Sequence, residues 1–74
     1  MNQNLRIRTV STRHGFDIYV VNMEMQARAK VATIKEGWAA AKGQIDFYSR
    51  FFNCPSDGLV DLVDIHNGVK VWNL

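Results

Sequence analysis

Cysteine and proline each occur once in this chain, as the neighbours Cys54 and Pro55. One thiol cannot form an intrachain disulfide, and the zinc spacings built on paired cysteines are absent. Small secreted domains usually carry several cysteines, so a reducing compartment, the cytoplasm, is the expected location. Long apolar runs are missing as well: no stretch approaches the roughly 18 residues of a membrane span. The opening Met1-Asn2-Gln3-Asn4-Leu5-Arg6 is polar and lacks the apolar centre of a signal peptide, so the chain is expected to stay where it is made. Gly37, Gly43, Gly58 and Gly68 match none of the glycine-rich phosphate-binding signatures. Strong charge of one sign is lacking too. Nine Lys and Arg face seven Asp and Glu, and a net +2 is too small by itself to imply nucleic acid.

What is present is core material. With 47% hydrophobic and 11% aromatic residues, the chain is too apolar to be disordered throughout. Its 74 residues leave room for a single domain, 1–74. A chain this short buries only about 60% of its unfolded surface, so the core must be used well. The charges are unevenly spread. Arg6, Arg8, Arg13, Arg28, Lys30 and Lys35 fall in the first half, and Asp57, Asp61 and Asp64 near the end. That distribution suggests a basic side and an acidic side.

Hydrophobic periodicity divides the chain into elements. Residues 5–12 alternate loosely, with Leu5 and Ile7 on one face and Arg6 and Arg8 on the other, as in a half-buried strand. Arg13-His14-Gly15 reads as a turn. Residues 16–21 form a second strand, with Phe16, Ile18 and Val20 on one face and Asp17, Tyr19 and Val21 on the other. Residues 26–32 suit a third strand. A helix from Asn22, broken near Gly37, is the alternative, since Ala27, Val31 and Ile34 also keep helical spacing. The strand is favoured because Thr33-Ile34-Lys35-Glu36 has the form of a capping box that starts a helix at Thr33. Ile34, Trp38, Ala41, Ile45, Tyr48 and Phe52 then recur every three or four residues, predicting an amphipathic helix of about five turns. Asp46 and Arg50 are spaced to pair on its outer side. Pro55 closes the helix. Residues 59–65 read as a strand whose mixed alternation suits a central position or a bulge. Asn67-Gly68 signals a hairpin, and residues 69–74 a last strand. The predicted fold is α+β: an antiparallel sheet in the order β-β-β-α-β-β, with one helix on one face. A single helix cannot cover both faces, so the other face is solvated or is an interface.

No catalytic or metal-binding constellation stands out. Cys54 and His66 could be a nucleophile and its base, but nothing in the pattern places them together or supplies an orienting third group. On a strand Asp64 and His66 point one way and Asp61 the other, so one face offers two ligands where a protein zinc site uses three or four. Neither cofactor, metal nor small-molecule substrate is expected, and the chain is not expected to be an enzyme. Two surfaces are candidates instead. Arg6, Arg8, Tyr19, Arg28 and Lys30 can emerge together on the helix-free face, where cations flanking an aromatic ring could hold nucleic acid or an acidic protein. Phe47 and Phe51 lie 100–140° away from the centre of the main helical stripe, about where an aromatic patch marks an interface with a protein or with a second copy of the chain. Trp72 could extend that patch.

In total length, absence of catalytic motifs and a sheet with one helix, the chain resembles small proteins of bacteriophages and mobile elements, including anti-CRISPR and other host-directed inhibitors. That resemblance implies a compact binding protein that occupies a surface on a larger complex. It carries no functional residue over. The alternative expectation is a nucleic-acid-binding or regulatory module that uses the basic sheet face.

Overall fold

A computed structural model describes residues 4–61. Three strands, one helix and a fourth strand follow in order: β1 (Leu5–Thr12), β2 (Gly15–Asn22), β3 (Ala27–Ile34), α1 (Trp38–Phe52) and β4 (Ser56–Val60). They form one sheet in the order β3-β2-β1-β4 with α1 on one face. The α+β architecture and its β-β-β-α-β order are those expected from the periodicity. The hairpin at Asn67-Gly68, the last strand, Asp64, His66 and Trp72 lie outside the described residues.

The first three strands are an antiparallel meander. β1 and β2 pair without interruption from Leu5↔Asn22 to Thr12↔Gly15, leaving Arg13 and His14 as the turn. The His14 amide donates to Thr12 Oγ1 at 3.2 Å within it. Gly15 has φ +144°, and a Cβ there would lie 1.9 Å from the Ile34 carbonyl oxygen, so only glycine lets the end of β3 approach. The β2–β3 pairing steps out of register: Ile18 faces Ala32 but Tyr19 faces Lys30. Val31 is therefore the extra residue of a bulge. The bulge lets Ala29 and Ala32, three apart, both register with residues of the helix-facing side of β2.

Two details of the sequence reading are corrected at the helix start. The capping box does not form, because residues 33 and 34 belong to β3. The Thr33 hydroxyl donates to Asp17 Oδ1 at 3.1 Å across the sheet, and Gly37 begins the helix with no side-chain cap. Cross-strand pairing thus claims the residues that the local pattern assigned to the first turn, and the helix is 15 residues long, closer to four turns than five. Its end is built by Asn53, which takes the left-handed conformation at φ 52°. The Asn53 and Cys54 amides then donate back to Arg50 and Ser49 carbonyls, at 3.2 and 3.0 Å.

α1 carries the chain across the sheet, and β4 joins the far side of β1. It pairs parallel to β1, so the sheet is not purely antiparallel. A bulge interrupts this ladder as well. Ile7 faces Ser56 and Thr9 faces Leu59, with Gly58 at φ +70° taking up the extra residue. The sequence reading puts a strand with mixed alternation at residues 59–65, central or bulged; the described strand is Ser56–Val60, it carries a bulge at its start, and it is an edge strand among the described residues. Ile7, Ile18 and Ile34 of the sheet pack against Ala41 and Ile45 of α1 and against Cys54 to form the main core. Phe16, Val20, Val31, Tyr48 and Phe52 pack around it. On the other face Val10, Val21 and Val60 make a second, smaller cluster with Tyr19 and Met23 against it. The middle of the helix-free face is therefore buried, where a fully solvated or open surface had been one expectation.

Candidate functional site

Two of the five residues expected on the basic face are withdrawn from it. The Gly58 bulge turns Asp57 towards β1, with its side chain only 3% exposed. There the Arg6 Nε donates to both carboxylate oxygens, at 2.7 and 2.8 Å, and Arg6 Nη2 adds a further contact to Oδ1. Arg8 Nε donates to Oδ2 at 2.6 Å, and Arg8 is wholly buried. The Asp57 hydrogen bonds hold the Arg6 guanidinium above its ordinary pKa, against the opposing effect of partial burial. The expected separation into a basic and an acidic side fails here for a simple reason. The crossover brings Asp57, far along the chain, beside the arginines of the first strand. Sequence spacing of about 50 residues hides that meeting, and the only local signal was the Asp57-Gly58 turn pair.

The other three residues stay together. Tyr19, Arg28 and Lys30 share the helix-free side next to the β3 edge. The Arg28 guanidinium lies 5.4 Å from the centre of the Tyr19 ring, within cation–π range. Lys30 is 51% exposed and its ammonium approaches Asp17 Oδ2 at 4.0 Å. What remains of the basic face is a narrow strip, partly offset by Asp17.

The helix patch is more complete. Phe47 is 56% and Phe51 69% exposed. Their ring centres are 6.1 Å apart in a near-parallel stack. Each ring also rests edge-on against an inner neighbour, Phe47 on Tyr48 and Phe51 on Phe52, with centres 5.1 and 5.0 Å apart. The inner rings are tied down: Tyr48 and Phe52 pack on the core, and the Tyr48 hydroxyl donates to the Val31 carbonyl at 3.2 Å. The outer pair is thus held on a rigid aromatic base while its outward surface stays in water. Gly43, Asp46 and Arg50 join Phe47 and Phe51 around a shallow groove on this side of α1. The expected Asp46–Arg50 ion pair is not formed. Trp38, which the sequence assigned to the core, lies at the far end of the helix from this patch. It is 41% exposed and meets Phe16, with ring centres 5.3 Å apart.

Cys54 is buried and free, and its burial raises the thiol pKa, which disfavours the thiolate a nucleophile needs. Among the described residues there is no group of three or more His, Cys, Asp or Glu placed to hold a metal ion, and no helix long and apolar enough to cross a membrane. No family model, curated protein or solved structure matches this chain.

Proposed function

We propose that this is a non-enzymatic binding protein that makes a protein–protein contact through the aromatic outer face of α1. The observation that carries the reading is the Phe47–Phe51 stack, more than half exposed yet resting on the partly buried rings of Tyr48 and Phe52. Exposed rings that are already ordered lose little conformational entropy on binding, which is why aromatic anchors dominate interfaces. The occupant is a protein: a larger complex that the chain inhibits by covering a surface, as the size-class of phage and mobile-element inhibitors implies, or a second copy. A cytoplasmic setting fits the free buried thiol.

The test is capture of protein from a lysate of the natural host, after nuclease treatment, with the tagged chain and with its Phe47→Ser, Phe51→Ser form. Loss of specific capture by a variant that still folds supports the reading. Equal capture by both removes it.

A second reading, nucleic-acid binding, is favoured by one observation, the Arg28–Tyr19 stack beside Lys30. It requires affinity that falls steeply with salt, as phosphate contacts release counterions, and that drops in Arg28→Glu, Lys30→Glu. Absence of DNA and RNA binding at low salt would remove it.

A further inference from the structure

The outward face of α1 is complementary to itself, and we infer that its occupant is a second copy of this chain, packed helix against helix in antiparallel orientation. The inference rests on the protein-binding reading and names the protein. Size and charge on this face both point the same way. Ala39, Ala40 and Gly43 are exposed in the first half of the helix, and Phe47 and Phe51 in the second. A parallel copy would set rings against rings. A copy turned end over end about Phe47 leaves only the two Phe47 rings together at the centre and sets Phe51 of each helix over the small Gly43 of the other.

Gly43 sits at the centre of this arrangement. Glycine weakens a helix interior, and nothing among the described residues requires it, because a Cβ at Gly43 would meet none of their atoms within 4 Å. What it provides is a notch in the groove lined by Asp46, Phe47, Arg50 and Phe51. A two-fold axis near Phe47 places Gly43 opposite Phe51 of the second copy. The same axis brings Asp46 next to the second copy's Arg50, and Arg50 next to its Asp46, as an isologous contact demands. Both charges are exposed and joined to each other by no ion pair within one chain, so each is available across the axis. A helix of 15 residues is about 22 Å long, so this contact lies at the low end of specific interfaces and is a weak, reversible one. The dimer would leave Tyr19, Arg28 and Lys30 of both copies on the faces away from the contact.

Sedimentation equilibrium on the 74-residue chain tests this, over concentrations from about 1 μM to about 1 mM. The mass is expected to rise with concentration from one chain, 8.5 kDa, towards two. Phe47→Ser with Phe51→Ser should weaken association at least about tenfold. Asp46→Arg alone and Arg50→Asp alone should each weaken it, because each sets like charges across the axis. Mixed in equal amounts, those two variants should associate again, since one then presents two positive and the other two negative residues. Circular dichroism of each variant guards against loss of folding. A single-chain mass at every concentration overturns the inference, as does association indifferent to the charge variants. If the chain stays monomeric while the double Phe variant loses capture of a foreign protein, the binding reading stands and only the second copy falls. A monomer whose capture is also unchanged removes both.

Discussion

Asp57 shows how much one side chain can depend on its placement. It is the shared acceptor of Arg6 and Arg8, and all three charges lie largely out of water. Removing one member of such a group leaves the others with their desolvation uncompensated, which typically costs about 3 to 5 kcal/mol. Asp57→Asn is therefore expected to destabilise the fold by about 3 kcal/mol or more in urea titrations. Gly15 is sensitive for a different reason. Gly15→Ala combines an unfavourable φ with a clash against the Ile34 carbonyl, and a loss of about 2 to 4 kcal/mol is expected by the same measurement. Cys54 gives a pH dependence. Burial raises its folded-state pKa above the ordinary 9.0, so the unfolded chain releases the thiol proton first as pH rises. Its contribution to stability is complete below pH 9 and is lost above it, with a slope of up to about 1.4 kcal/mol per pH unit. Cys54→Ala should flatten the alkaline limb of a stability-against-pH curve, whereas an unchanged limb would assign it to other groups.

At the scale of elements, two bulges decide which residues face where. In β3 the extra residue is Val31, and its carbonyl is the acceptor of the Tyr48 hydroxyl. That bond ties α1 to the edge strand at the one place where the ladder is broken. Tyr48→Phe is expected to destabilise by about 1 kcal/mol and to raise amide exchange in β3 more than in β1. In β4 the bulge at Gly58 allows Asp57 and Val60, three apart, both to serve the helix-free side, one binding the arginines and the other joining Val10 and Val21. Strands β1 and β2, which carry no bulge between them, were legible from period-2 alternation alone. The helix was legible in its buried stripe, Ala41, Ile45, Tyr48 and Phe52, but not in its start. Strand pairing at Thr33 and Ile34 overrode a local capping pattern, because completing a ladder against β2 satisfies backbone groups that one side-chain cap could not.

For the molecule as a whole, stability and recognition are divided between the two sides of α1. The inner side seals the core, and the outer side carries rings that are more than half exposed. Phe47→Ser with Phe51→Ser is expected to lower unfolding free energy by about 1 to 2 kcal/mol through the lost ring contacts, with helical circular dichroism retained. A loss several times larger would mean that the rings are structural and would leave the binding proposal without its surface. The charge layout carries a similar lesson. A net charge of +2 spread by sequence position suggested opposed sides, yet folding pairs the strongest cations of the first strand with an acid from the last described one. Only Tyr19, Arg28 and Lys30 remain of the five residues expected to act together.

Local pattern alone determined β1, β2, the helix, the α+β class and the exposed position of Phe47 and Phe51, because periodicity and helical angle depend on neighbours a few residues apart. Tertiary structure alone decided the choice of strand for β3, the parallel pairing of β4, the two bulges and the pairing of Arg6 and buried Arg8 with Asp57. These depend on contacts between residues distant along the chain, where the free energy of closing the crossover and burying both sheet faces outweighs any preference written into one segment.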